Sequence, residues 1–434
     1  MRRLLLAFTL LILATLPARA VTVHRVVSPG GIEAWLVEDH SNPILSLSLS
    51  FRGGTSSDPV GREGLATLVS GLLDEGAGDL DSLAFQTRLE DLSIQMSFDS
   101  GRDSFGGTLK TLTENRDTAF DLLRLALTKP RFDADPVERI RSQIVSALKR
   151  QDEDPQTIAS KAWFRALFPD HPYGRPEDGT LASVARITIA DLKAFAAGRF
   201  ARDNLILGIA GDITAEALKP LLDSTFGGLP AKSVPVTVAD AAPVTKGSVV
   251  VVDRDIPQSV AVFGHGGMKR SDPDFYAAYL LNYIVGGGGF SSRLMTEVRE
   301  KRGLAYSVYS YLSPLDHAAV YVGGVATRND RFADSLGLVR AEWTRMAESG
   351  PSEKELQDAK TYLTGSWPLQ LDGTGPIAGI LVAIQRDDLG IDYLDKRNEY
   401  MERVTLDDAR RVARTLFAPE SLTTAVVGRP AGVR

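Results

Sequence analysis

Apolar and polar positions alternate along residues 44–51, where Ile44, Leu45, Leu47, Leu49 and Phe51 are interleaved with serines at 46, 48 and 50. That period of two predicts a strand with one apolar and one polar face, and residues 32–37 predict a shorter strand before it. Gly53-Gly54 and Ser57-Asp58-Pro59 then interrupt the chain. The period changes to that of a helix over 64–73, with Leu65, Leu68, Val69 and Leu72 on one stripe. Further helices are predicted at 82–92, 115–127, 136–151, 155–167 and 189–199, and a short apolar strand at 205–210 ends at Gly211. The densest stretch is 286–312, GGGGFSSRLMTEVREKRGLAYSVYSYL: a four-glycine joint, a charged amphipathic helix and a period-2 strand, with Arg299 and Tyr306 seven positions apart.

The pattern occurs twice. Residues 187–212 align without gaps to 404–429, matching at Thr188/Thr405, Asp191/Asp408, Phe200/Phe417, Ala201/Ala418, Leu205/Leu422 and Gly211/Gly428. Gly53-Gly54 with Ser57-Asp58-Pro59 likewise recurs as Gly266-Gly267 with Ser271-Asp272-Pro273. Two divergent copies of one α+β domain are the economical explanation, each with a mixed or antiparallel sheet flanked by helices. The expected domains are 21–230 and 246–434, joined by a linker at 231–245 that contains Pro235 and Pro243.

Composition narrows the setting. At 434 residues, with 44% hydrophobic and 24% charged positions, the chain is long enough for two packed domains and ordinary for a globular protein. A net charge of -6 gives no basic excess for nucleic acid or anionic lipid. Arg2 and Arg3, the apolar run 4–16 and Ala18-Arg19-Ala20 form a secretory leader over residues 1–20. Export follows, to the periplasm if the source is Gram-negative, with an uncleaved leader anchor as the alternative to a soluble mature chain. No later run approaches the length of about 20 residues that a spanning helix needs. Zero cysteines exclude disulfides, thiol nucleophiles and thiolate zinc sites.

The remaining candidates for chemistry are few. The five histidines are nowhere closer than the 16 positions between His24 and His40, so no local two-histidine metal motif exists. No G-x-S-x-G elbow occurs, and the glycine run lacks the Lys-Ser/Thr of a phosphate loop. Taken alone, Arg299 is a solvated helix residue and Tyr306 one of three strand tyrosines.

Four features change that reading: the duplicated domain, Gly64-Leu65-Ala66 opening a helix, His171-Pro172-Tyr173-Gly174, and SSRLMTEVREKRGLAY at 291–306. With them the chain resembles the insulinase and pitrilysin-like zinc metallopeptidases, especially the smaller type that includes the mitochondrial processing peptidase and its bacterial relatives. In active members G-L-A is followed by the inverted motif H-x-x-E-H, whose i, i+3 and i+4 positions share one helix face. Here those positions are Thr67, Ser70 and Gly71, and the register of the family's third ligand, a glutamate, falls on Ser146 and Ala147. The resemblance therefore implies an erased zinc site in this chain and zinc in a partner subunit.

It also implies roles for what remains. His171 is a structural turn residue, and Gly286, Gly287, Gly288 and Gly289 lie where the zinc-free subunit of the processing peptidase carries a longer, substrate-handling glycine loop. An arginine and a tyrosine at the spacing of Arg299 and Tyr306 close over a zinc site, the tyrosine donating to an oxyanion and the arginine gripping peptide carbonyls. The expectation is an exported, zinc-free subunit forming one half of a clamshell. It would be inactive alone, would pair with a homologous subunit bearing H-x-x-E-H, and would act on extended, unfolded peptides. An inert peptide-binding or assembly scaffold of the same fold is the alternative, and a peptidase with a different metal arrangement the weaker rival.

Overall fold

The computed structural model describes residues 21–433, so the leader at 1–20 lies outside the described residues. The first half runs β1 (His24–Val27), β2 (Glu33–Glu38), β3 (Ile44–Arg52), α1 (Leu65–Ser70), α2 (Ser82–Asp91), β4 (Gln95–Ser100) and β5 (Ser104–Leu112). It continues with α3 (Arg116–Thr128), α4 (Ala134–Gln151), α5 (Pro155–Leu167), α6 (Leu181–Arg186), α7 (Ile189–Arg199), β6 (Leu205–Gly211) and α8 (Ala215–Phe226). The second half runs β7 (Val249–Val252), β8 (Gln258–Gly266), α9 (Phe275–Asn282), β9 (Ala305–Pro314), β10 (Ala319–Arg328) and α10 (Phe332–Ser349). It closes with α11 (Glu353–Gly365), α12 (Thr374–Arg386), α13 (Tyr393–Glu402), α14 (Leu406–Leu416) and β11 (Thr423–Val427).

The duplication is written into the sheets. Their strand orders are β1-β2-β6-β3-β5-β4 and β7-β11-β8-β10-β9, so the second repeats the first without its outermost strand. In each, one pair is parallel, β2 with β6 and β7 with β11, and the other pairs are antiparallel. The matched residues of the repeat do the same local work. Thr188 and Thr405 each close a capping box, with Asp191 and Asp408 respectively, and so satisfy helix-start amides. Phe200 and Phe417 leave their helices in extended conformation and are buried. Gly211 and Gly428 end the equivalent strands at φ of 131° and 133°, a backbone conformation that side chains disfavour.

Each sheet packs its own helices on one face. Leu45, Leu47, Leu49 and Phe51 enter the first of these cores, and Ala261, Phe263, Val308 and Tyr321 the second. The other face is covered by a helix from the opposite half. Ala159, Trp163 and Leu167 of α5 pack on Val262, Val320, Val322, Ala425 and Val427 of the second sheet. Reciprocally, Ile377, Ala378, Leu381 and Ile384 of α12 pack on Trp35, Val37 and Ala210 of the first.

This exchange corrects the expected polar face of β3. Ser46 and Ser50 are only 2% and 4% exposed, because α12 lies over them. The Ser46 hydroxyl meets that of Thr374 at 2.8 Å, and the small serine side chains leave room for the helix.

Residues 231–245 contain no helix or strand, yet they are tied to both halves. The Ala241 amide donates to His317 O and the Val244 amide to Leu167 O, each at 2.8 Å. His171 caps the turn at Pro172–Gly174 and its Nε2 reaches Ala239 O at 2.8 Å, so it fastens this segment to the first half. No helix among the described residues is long and apolar enough to cross a membrane.

Candidate functional site

The stretch 286–312 is built as a turn, a wound segment and a bulged strand. After α9 the backbone continues as a π-helical turn over Tyr283–Gly287. Here the glycines pack rather than flex. A Cβ on Gly286 would stand 2.6 Å from the amide nitrogen of Ser310 on β9, one on Gly287 2.6 Å from Asn282 Nδ2, and one on Gly288 2.7 Å from Tyr283 O. The Ser310 hydroxyl donates to Asn282 Oδ1 at 2.9 Å, locking α9 to the same strand. Only Gly289 is conformationally special, with φ of 56° and open space around it. The four-glycine joint is thus a close-packed corner, because the first three glycines let the turn approach the backbone of Ser310 and Tyr283 and the side chain of Asn282, and the fourth turns the chain.

The charged segment also departs from a regular α-helix. Met295–Glu300 is wound as a π-helix, a geometry often found at functional sites. Its charges are partitioned. Glu297 accepts from Lys301 and from Arg302, each at 2.7 Å, and the Lys301 bond first, then that from Arg302, hold its carboxyl down to about 2. Arg293 forks onto Glu355 at 2.7 and 2.8 Å. Arg299 is left without a carboxylate among the described residues; its guanidinium carbon lies 4.6 Å from the ring centre of Tyr306.

Tyr306 owes its position to a bulge. β10 pairs Thr327 with Ala305 and then Val325 with Val308, so the ladder slips between them and Tyr306 falls in the irregular step. The strict alternation expected along this strand is therefore broken. The bulge turns the side chain outward, and Tyr306 is 82% exposed. Neither its hydroxyl nor the Arg299 guanidinium is engaged in a hydrogen bond within the described residues, so an exposed donor and a half-buried cation sit side by side at the edge of the second sheet.

A second aromatic residue completes this cluster and was missed from sequence. Phe290, directly after Gly289, is 62% exposed and its ring centre lies 4.7 Å from the Arg299 guanidinium carbon. A single aromatic in a glycine-rich turn belongs to no period. The available signal was its place between the glycine run and Arg299.

The positions of the expected metal site do not fit zinc. The Thr67 hydroxyl pairs with that of Ser100 at 3.2 Å, and the Ser70 hydroxyl donates to Thr67 O at 2.9 Å. Gly71 caps α1, with the Ile140 side chain 3.0 Å from where a Cβ would stand. Ala147 on α4 has only a methyl group. The set contains neither imidazole nor carboxylate, the groups that bind zinc in cysteine-free sites. The helix start itself is intact, since the buried Asp58 accepts from the amides of Gly64, Leu65 and Ala66 at 2.9, 3.0 and 3.1 Å.

Comparison with known proteins places this geometry. The family model of insulinase (peptidase family M16) matches residues 34–180, and that of the peptidase M16 inactive domain matches residues 186–363. A Helicobacter pylori protein described as the non-peptidase homologue YmxG is 30% identical over 374 residues, 85% of each chain. An uncharacterized zinc protease of Mycobacterium tuberculosis is 28% identical over 93% of this chain and 92% of its own. Among solved structures, a peptidase M16 inactive domain from Pseudomonas fluorescens superposes with a TM-score of 0.89 at 29% identity, covering 95% of this chain and 99% of that one.

Proposed function

Because the chain belongs to the insulinase family of M16 peptidases and matches its inactive, zinc-free type, we propose that it is the non-catalytic subunit of an exported, heterodimeric metallopeptidase. In this reading it faces a homologous subunit bearing H-x-x-E-H, to which the zinc chemistry belongs. The observation that carries the proposal is the mismatch within one chain. Tyr306 stands exposed and Arg299 half-buried, neither with a hydrogen-bond partner among the described residues, while the positions of the expected metal site carry hydroxyls, a hydrogen and a methyl group.

This chain's own contribution is to bind and to donate. The Tyr306 hydroxyl, exposed on a bulge, is placed to give a hydrogen bond to the oxyanion that develops when a peptide carbonyl is attacked. The Arg299 guanidinium, with its N–H edges unclaimed, is placed to hold a neighbouring carbonyl of the extended peptide. The packed glycine corner at Gly286–Gly289 forms one wall of that site.

The test is reconstitution. The chain alone is expected to bind no stoichiometric zinc and to hydrolyse no unfolded peptide, whereas co-expression with a zinc-bearing homologue yields activity. Chelator-sensitive hydrolysis by the isolated chain would overturn the proposal. Activity of the pair that is indifferent to Tyr306 and Arg299 would favour a peptide-binding or assembly scaffold, the reading that similarity to a non-peptidase homologue supports.

A further inference from the structure

We propose that Phe290 is a positioning residue: the glycine corner exists to hold its ring against Arg299, so that the guanidinium is clamped between two aromatic faces with its donor edges pointing outward. The distances are matched, 4.7 Å to Phe290 and 4.6 Å to Tyr306. Both rings are largely exposed, at 62% and 82%, so neither is there to fill a core. A cation between two ring faces is attracted to both, and the attraction resists the rotation that an arginine without a hydrogen-bond partner otherwise undergoes.

The four glycines acquire a common purpose in this arrangement. Gly286 lets the turn lie directly on Ser310 of β9, the strand that also carries Tyr306. Gly287 and Gly288 close the turn upon Asn282 and Tyr283. Gly289, at φ of 56°, then swings the next residue out over Arg299. One ring thus comes from the turn and the other from the strand, and the turn is pinned to the strand. The guanidinium's neighbouring acid, Glu297, is meanwhile occupied by Lys301 and Arg302, so nothing competes with the rings for it.

The ordering of Arg299 stands on the geometry alone, whereas its effect on turnover rests on the trans-acting role proposed above. The experiment separates the two. The full chain is labelled with 15N-arginine, and the Arg299 Nε–H resonance is identified by its loss in Arg299→Lys. Stacked between rings, it is expected to be shielded and slow to exchange with water. Phe290→Ala and Phe290→Leu are expected to remove part of the shielding and speed exchange, while Phe290→Tyr retains both. Gly289→Asn, which tolerates positive φ, is expected to preserve the signal, and Gly289→Val to lose it.

In the reconstituted pair, Phe290→Ala is expected to lower kcat/KM roughly two- to fivefold through a raised KM as well as a lower kcat, the pattern of a weakened Arg299, and Phe290→Tyr to restore it. An Arg299 resonance identical in the parent and Phe290→Ala would overturn the proposal. A resonance that responds to Phe290 in a pair whose turnover ignores both Phe290 and Tyr306 would sink the trans-acting reading and leave Phe290 as the clamp.

Discussion

Trp163 of α5 donates its indole N–H to the carbonyl of Thr423 on β11 at 2.9 Å, joining residues 260 positions apart and from opposite halves. Its counterpart runs the other way: Gln385 of α12 donates to Leu207 O on β6 at 2.9 Å. The two halves hold each other through exchanged helices, so neither sheet has both faces covered without the other half. Unfolding is expected to be a single transition for both. Trp163→Ala removes a fully buried side chain and should cost about 3–5 kcal/mol. Urea titration followed at Trp35 on β2 of the first half and Trp343 on α10 of the second should give coincident midpoints that shift together; separated midpoints would show that the exchange does not couple the halves.

Two glycines test the contact surface of α12 from either side. A Cβ on Gly208 of β6 would stand 2.3 Å from Ala378 O and 2.9 Å from Leu381 Cβ, whereas one on Gly379 meets nothing within 4 Å. Gly208→Ala is therefore expected to lift the helix off the sheet and lower the melting temperature markedly. Gly379→Ala should raise stability by up to about 1 kcal/mol, by lowering the entropy of the unfolded chain within a helix. Equal effects in thermal melts would mean that α12 does not lie against β6 as described.

The repeat could be read from sequence because its determinants are local. Thr188 and Thr405 cap helices with residues three positions on, and Gly211 and Gly428 answer to their own backbone angles. The exchange could not, because the helical period of residues 155–167 marks an apolar face without naming the sheet it meets. The serines of β3 looked like a solvent face for the same reason, their cover lying more than 300 positions away at Thr374. At the site, Arg299 and Tyr306 stood out through spacing and resemblance. Phe290 did not, since its relation to Arg299 depends on a turn whose shape comes from contacts with Asn282 and Ser310.

Stability should depend on pH through His265. This buried imidazole bonds Gly266 O at 2.7 Å through Nδ1 and accepts from the Trp343 indole at 3.1 Å through Nε2, an arrangement that suits only the neutral ring. Burial lowers its pKa below the usual 6.5, while the Gly266 carbonyl and the charge of Glu420 pull the other way without reversing it. The folded state thus binds its proton less readily than the unfolded chain. The stabilisation is complete above about pH 6.5 and is lost as the pH falls through that value toward the lower folded pKa. Melting temperatures recorded from pH 8 to pH 5 should decline over this window. In His265→Gln that part of the slope should vanish from a uniformly lower curve; an unchanged slope would assign the decline to other groups.

Tyr306→Phe isolates one hydroxyl from everything else at the site. The ring remains, so its contact with Arg299 at 4.6 Å persists, and the bulge that exposes it is made by backbone. If the hydroxyl donates to the oxyanion in a composite active site, its loss should lower kcat about 10²- to 10³-fold, the usual cost of one oxyanion donor, with KM nearly unchanged because the ground-state peptide does not use it. Arg299→Lys should behave differently. Lysine keeps the charge but neither the planar donor fork nor the stacking face, so the loss is expected in KM as well as kcat. Steady-state kinetics of the reconstituted pair on an unfolded peptide distinguish the two patterns. A Tyr306→Phe pair within a few-fold of the parent would remove the hydroxyl from the chemistry and leave Arg299 and Phe290 as elements of a peptide-binding surface.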